Sequence, residues 1–199
     1  QGLSDFMVDL REEVGKSITI TPIETMINHS TNNVFFDDLR IPAKNLIGKI
    51  DEGFKYIMDG MNAERILIGA ECIGDARFLI QKASEYACER EVFGRPIGQN
   101  QGIQFPIAEV HVQTEAAALM VEKAATSFDE LRTCGTEANM AKLLAADASW
   151  KAADVCMQTF GGFAFAAEYD IERKFRETRL YRIAPVSTNL ILSHVGTHV

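Results

Sequence analysis

The chain has 199 residues, a formal net charge of −8, and 47% apolar against 24% charged side chains. Those proportions exclude a disordered chain, and the length is enough for a buried core without disulfide or metal staples. The acidic surplus shows no basic stripe and no apolar run is long enough to span a bilayer, so neither nucleic-acid binding nor membrane insertion is expected.

The chain opens on Gln1-Gly2-Leu3 without an initiator methionine, and a fragment or processed product is expected. Up to about residue 50, β signals dominate. Phe6-Met7-Val8 predicts a short strand. Residues 17–21 alternate and are β-branched, which predicts a half-exposed strand. Asn33-Val34-Phe35-Phe36 predicts another, closed by Asp37-Asp38. Residues 40–48 predict a loop, because Pro42 removes a ladder donor. A few strands do not make a stable sheet alone, so residues 1–50 are expected to be the incomplete end of a larger β-domain.

After Gly53 the pattern turns helical. Ile57, Met61, Glu64, Ile68, Cys72 and Leu79 recur at helical steps, predicting one long helix over 54–89 with those residues on its buried face. Its middle, Ile66-Leu67-Ile68-Gly69-Ala70, is apolar nearly all round and is expected between other helices. A second helix is predicted over 102–131, with a stripe from Ile107 through Val110, Thr114, Ala117, Val121 and Ala124 to Phe128 and Leu131. Pro106 falls in its first turns. A third, over 136–159, turns Ala138, Ala141, Leu144, Ala148, Ala152 and Val155 inward, and Gly161-Gly162 ends it. Two shorter helices follow over 169–182 and 187–198. Short connections predict antiparallel neighbours. The expected fold is thus mainly α: an antiparallel helical bundle over 51–199, preceded by a few strands over 1–50.

Cys72, Cys88, Cys134 and Cys156 show neither CxxC pairing nor zinc-ligand spacing, and are expected as buried, reduced thiols of a cytoplasmic protein, or of the mitochondrial matrix in a eukaryote. No dinucleotide fingerprint, P-loop or nucleophile elbow is present. His194 and His198 are four apart on a predicted helix, but the glutamate of a zincin-type HExxH is missing, so no metal site is expected. Glu64 stands out because a carboxylate on a buried helix face loses water and becomes a stronger base. Pairing with Arg65 is the structural alternative, and Glu71, two turns on, is the internal competitor.

Four motifs recur together: Asn62-Ala63-Glu64-Arg65; Arg90-Glu91-Val92-Phe93-Gly94-Arg95-Pro96-Ile97 with Gln101; Gln158-Thr159-Phe160-Gly161-Gly162; and Arg173-Lys174-Phe175-Arg176-Glu177-Thr178-Arg179. In order and spacing the chain resembles the acyl-CoA dehydrogenase family over essentially its whole length. The run from Phe36 to Gly48 is similar to that family's exit from its middle β-domain. The resemblance implies a subunit with a helical N-terminal domain, a middle β-domain and a C-terminal bundle, of which this chain holds the last part and is inactive alone. It further implies FAD as cofactor, an acyl-CoA thioester as substrate and electron-transferring flavoprotein as acceptor. A dimer of dimers built through the bundle is implied as well.

The reaction so implied removes an α-proton with a carboxylate while the β-hydride passes to flavin N5. Most members carry that carboxylate in a Tyr-Glu-Gly-Thr-like turn before the last helix, where this chain reads Ala184-Pro185-Val186-Ser187-Thr188 with no acid. A minority, resembling isovaleryl-CoA and long-chain acyl-CoA dehydrogenases, place it on the long helix, which implies Glu64 here. Asn62, Arg65 and the turn Ala184-Pro185-Val186 are then implied in substrate binding. Since Pro185 has no N–H, the carbonyl donor is Ala184 or Val186, or the turn is shifted by a residue, or the geometry is a variant one. Arg90, Phe93, Gln101, Gln158, Gly161, Gly162, Ser187, Thr188 and Asn189 are implied as FAD contacts, Arg90 and Gln158 reaching a neighbouring subunit's FAD. Rival expectations are an acyl-CoA oxidase or nitroalkane-oxidase-like enzyme on the same scaffold, and a helical assembly or binding domain without catalysis.

Overall fold

The structure, a computed structural model, describes residues 2–27 and 30–198; Gln1 and Val199, the outer limits of the two expected domains, lie outside it, as do Asn28 and His29. The chain forms two compact units, one up to Met61 and the other from Asn62 on.

The first unit is built of two-stranded ribbons. Strand β1 (Asp5–Phe6) precedes a single-turn helix, α1 (Leu10–Glu13). The sequence expectation had no helix there. Its signal is Asp9, whose side chain accepts from the Arg11 N–H as an N-cap, with Glu12 and Glu13 in the first turn. Strands β2 (Ile18–Ile23) and β3 (Thr31–Phe36) pair antiparallel from Ile18↔Phe36 to Ile23↔Thr31, each longer than expected. Pro22 is tolerated in β2 because both strands of a two-stranded ribbon are edges. The expected loop over 40–48 contains a 3-10 turn (Ala43–Asn45) and then β4 (Leu46–Ile47), which pairs antiparallel with β1.

Helix α2 (Gly53–Glu89) is followed by a hairpin of β5 (Glu91–Val92) and β6 (Arg95–Pro96), then by α3 (Gln101–Asp129), α4 (Gly135–Phe160), α5 (Ile171–Tyr181) and α6 (Thr188–His198). The second unit is therefore mostly helical. Cross-helix partners fix the directions. On α3 and α4, Glu109 meets Lys151 while Lys123 meets Glu137, so the pair runs antiparallel. On α2 and α5, Glu71 meets Tyr181 and Asp75 meets Lys174, again antiparallel. Asp147 with Arg182 and Trp150 with Phe175 give α4 and α5 the same relation.

Two apolar clusters fill the bundle. One joins Ile66, Cys72 and Ile73 of α2 to Ala117, Val121 and Ala124 of α3 and to the alanines of α4. The other gathers Leu79, Ala83, Val110, Ala153, Cys156, Phe160 and Ile171. Small side chains let the axes approach closely. A Cβ added to Gly69 would sit 3.1 Å from Val121 Cγ2 and 3.7 Å from the Ala141 carbonyl oxygen, so even a methyl here would need Val121 to give by a few tenths of an ångström.

The helix phases correct several expectations. On α2 the inward stripe is Arg65, Ile66, Gly69, Cys72, Ile73, Ala76, Leu79, Ala83 and Ala87, while Glu64, Leu67, Glu71 and Gly74 form an outward stripe. One residue of phase is a 100° rotation, so Glu64 is exposed although its neighbour Arg65 is buried. The same phase puts Leu67 outside and leaves Cys88 exposed because Ala87 takes the inward place. Leu131 lies beyond α3 in a turn with φ +54°, and it and Phe128 are exposed. Leu144 is also exposed, since Ala141, Ala145, Ala146 and Ala148 occupy the packed face of α4. Cys72, Cys134 and Cys156 are buried and unpaired, and burial pushes the Cys156 thiol up to about 12.

Candidate functional site

Glu64 has no hydrogen bond or salt bridge to any described residue. Arg65 does not pair with it: the guanidinium Nη1 donates to Asn62 Oδ1 at 3.0 Å, and its Nε–H is buried without a protein acceptor. Burial pushes the Arg65 pKa down, with the Glu64 charge acting in the opposite sense. Glu71, the competitor on the same outward stripe, is engaged. Its Oε1 accepts from the Tyr181 hydroxyl at 2.7 Å, and Tyr181 is buried. Burial first, and the Glu71 carboxylate second, raise the Tyr181 pKa, so this hydroxyl stays a donor at any working pH. Of the two candidate bases, only Glu64 is left with both carboxylate oxygens uncommitted.

The Ala184-Pro185-Val186 turn connects α5 to α6. Its Ala184 N–H donates to the Leu180 carbonyl at 2.9 Å and so is not available to a ligand. Pro185 has no N–H. The Val186 and Ser187 N–H groups have no protein acceptor among the described residues. Of the expected alternatives for a carbonyl donor, Val186 is therefore the one with its N–H free. Thr188 Oγ1 donates to the Arg182 carbonyl at 3.3 Å, and Lys142 Nζ donates to the Val186 carbonyl at 2.8 Å. Lys142 lies on the inward face of α4 and is 1% exposed. The sequence reading missed it. Its signal was its place three and four residues from Ala138, Ala145 and Ala146, a lysine on an apolar stripe. Ser187, Thr188 and Asn189 line a shallow cleft of about 280 Å³ together with Arg179 and Arg182.

A second cleft, of about 470 Å³, brings together Arg90, Gly161 and Gly162 with Tyr86, Phe160 and Phe163. The Arg90 backbone is held at both ends: its N–H donates to the Tyr86 carbonyl at 2.8 Å and its carbonyl accepts from Ile97 N–H at 2.9 Å. Tyr86 and Phe160 stack with ring centroids 4.1 Å apart, a contact worth about 1 kcal/mol beyond burial. Gly161 caps α4 with φ 60° and ψ −132°, a conformation open to glycine alone, and its Cα faces open space. A guanidinium, aromatic walls and accessible glycine backbone suit the pyrophosphate and flat rings of a flavin dinucleotide, so these residues fit such a group.

Phe93, Gln101 and Gln158 are exposed and do not line this cleft. Phe93 holds φ 55° at the tip of the β5–β6 hairpin, followed by Gly94 at φ 75°, with its ring wholly in solvent. An aromatic residue in left-handed backbone is costly, and two-residue hairpins of this kind favour Asn-Gly. His194 and His198 stack at 4.2 Å, and no cluster of three or more metal-ligating side chains occurs among the described residues. No described helix is long and apolar enough to cross a membrane.

An antiparallel bundle of long helices preceded by β-ribbons, with an arginine, aromatic and glycine cleft beside α2 and α4, defines a mostly helical domain. The chain belongs to the acyl-CoA dehydrogenase family: residues 51–198 match the family model "Acyl-CoA dehydrogenase, C-terminal domain". It is 38% identical over 184 residues to acyl-CoA dehydrogenase FadE12 of Mycobacterium tuberculosis, covering 92% of this chain and 47% of that protein. The chain thus spans about half the length of the curated relatives it matches. It superimposes on the glutaryl-coenzyme A dehydrogenase–glutaryl-CoA complex with TM-score 0.93 and 31% identity, over 98% of this chain and 50% of that one. PigA, solved with FAD and proline, shares the fold at TM-score 0.92 and 23% identity, over 98% of this chain and 51% of that one.

Proposed function

We propose that this chain is the C-terminal part of an FAD-dependent acyl-CoA dehydrogenase, residues 1–50 closing the middle β-domain and 51–199 forming the bundle. The observation that carries the proposal is the free carboxylate of Glu64 on the outward face of α2, beside a buried arginine with an unsatisfied N–H. Glu64 removes the α-proton of the acyl thioester. The Val186 N–H donates to the thioester carbonyl oxygen and stabilises the negative charge that builds there as the proton leaves. Asn62 holds Arg65, and Arg65 borders the substrate. Bound FAD would supply the acceptor for the β-hydride, with electron-transferring flavoprotein as the proposed onward acceptor. Ser187, Thr188 and Asn189, which line one cleft, would hold the flavin. Arg90, Gly161 and Gly162, with Phe93, Gln101 and Gln158 near them in sequence, would hold FAD, Arg90 and Gln158 reaching that of a neighbouring subunit. A fully exposed Phe93 ring in strained backbone supports that reading. The cytoplasm, or the mitochondrial matrix in a eukaryote, is the proposed compartment.

The test is the full-length subunit, purified and screened anaerobically against acyl-CoAs of graded length and branching. Bleaching of its flavin, with turnover on an added dye acceptor, is the expected result. A yellow, folded protein that no acyl-CoA reduces would leave the assembly-domain alternative, which Pro185 favours. Fast reoxidation by oxygen would identify an oxidase on the same scaffold.

Oligomerisation follows from surplus apolar surface. Leu67, Val112 and Leu119 are each more than 60% exposed, and an open groove of about 570 Å³ between α2 and α3 is lined by Ala70, Ile73, Ala118 and Leu119, with Arg77, Glu115 and Glu122 also on its walls. Faces of this kind are covered by symmetric partners. The bundle is expected to self-associate into a dimer of dimers, through an interface upward of roughly 2,000 Å². Sedimentation across a wide concentration range checks this; a strict monomer would remove the oligomer from the proposal.

A further inference from the structure

Lys142 is the largest fully buried side chain among the described residues. Its ammonium makes no salt bridge to a carboxylate among them, and its one hydrogen bond goes to the Val186 carbonyl, 44 residues away, at 2.8 Å. Burial lowers its pKa; Cys72 and Asp147 act against that, while Arg182 and Arg65 add to it. A buried ammonium with no counter-charge does not stabilise a fold relative to an apolar side chain of the same shape. What it supplies here is geometry.

We propose that Lys142 is a positioning residue for substrate, acting through Val186; this rests on the acyl-CoA dehydrogenase reading above. The turn between α5 and α6 has Pro185 at its centre and an Ala184 N–H already committed to Leu180, so its free donors are Val186 and Ser187. Pinning the Val186 carbonyl to Lys142 fixes the peptide plane between these two residues. In a trans peptide the following N–H points opposite to the carbonyl, so Ser187 N–H is aimed away from Lys142 and the Val186 backbone is held beside it. The bond thus presets the Ser187 N–H directly, and the Val186 N–H, which belongs to the preceding peptide plane, through the held position of the Val186 Cα; a donor so placed strengthens its bond to the thioester oxygen as charge develops there.

The test compares the full-length holoenzyme with its Lys142→Met variant. Expected are a kcat lower by about 10- to 100-fold, a KM within about twofold, and a thermal midpoint unchanged or raised. The carbonyl stretch of bound crotonyl-CoA, read by isotope-edited infrared difference, should move back toward its position in free crotonyl-CoA. Lys142→Gln keeps a donor with shorter reach and should give smaller changes in the same direction. Unchanged kcat and carbonyl frequency overturn the proposal, as does a fall in kcat that merely follows a fall in thermal midpoint. If neither variant folds, Lys142 is a structural requirement and the assignment is withdrawn. A wild-type holoenzyme that neither turns over acyl-CoA nor binds crotonyl-CoA overturns the function reading itself, and this proposal with it.

Discussion

Replacing Glu64 with glutamine in the full-length subunit is expected to lower the rate of flavin reduction by acyl-CoA by on the order of 10³-fold, the middle of the range a positioned general base contributes. Glutamine keeps the shape but cannot take up a proton. Glu64 makes no hydrogen bond or salt bridge among the described residues, and its charge acts on the buried Arg65 only at a distance, without a direct contact. FAD content, acyl-CoA binding and thermal midpoint should therefore stay near the wild-type values. Glu71→Gln is the control, one turn pair along the same outward stripe. Its carboxylate accepts the Tyr181 hydroxyl at 2.7 Å, so the change weakens a bond to a buried phenol, about 1 kcal/mol of stability, and leaves most of the turnover. Single-turnover stopped flow on both variants separates the two carboxylates. A Glu64→Gln enzyme within a few-fold of wild type, or a Glu71→Gln enzyme as slow as expected for Glu64→Gln, would transfer the base elsewhere.

The second large effect concerns stability. Asp75 on α2 is buried, accepts from Lys174 Nζ at 2.6 Å through Oδ1, and has no partner for Oδ2. Lys174 also reaches Glu177 Oε2 at 3.2 Å, and Arg173 bridges Glu177 and Asp170. Burial alone would lower the Lys174 pKa, but its bond to Asp75 and the charges of Asp75 and Glu177 hold it above the ordinary value. Lys174→Met leaves the Asp75 carboxylate buried without a counter-charge, which costs roughly 3–5 kcal/mol. The thermal midpoint should fall by several degrees or more. Arg77→Met breaks an ion pair of similar length, 2.9 Å to Glu115, but both side chains are about half exposed, and the expected cost is about 0–1 kcal/mol. Parallel melts of the two variants decide it. Equal losses would mean that burial of Asp75 does not govern the pair.

The positions of the long helices and their small, close-packed faces were legible in the sequence, because apolar spacing and terminal signals act over a few residues. The alanines of α4, the stripe from Val110 to Ala124 on α3 and the Gly161 cap all follow from such local rules. The β5–β6 hairpin was not legible, since Phe93-Gly94 is a poor match to the residues such turns favour. Nor was the helix at Leu10–Glu13, whose Asp9 cap is a weak signal in a β-rich stretch.

By itself the sequence determined that the Ala184-Pro185-Val186 turn holds no acid and that Pro185 cannot donate, and its family resemblance pointed to Glu64 as the proposed base. Only the tertiary structure decided that Glu64 faces outward while Arg65 is buried. A stripe read from α2 alone admits more than one phase, and the packing of α3 and α4 around Gly69 selects between phases 100° apart. Only the fold, likewise, committed Glu71 to Tyr181 and Lys142 to Val186. Those partners are 110 and 44 residues apart in the chain, and no local rule of spacing reaches across a helix pair.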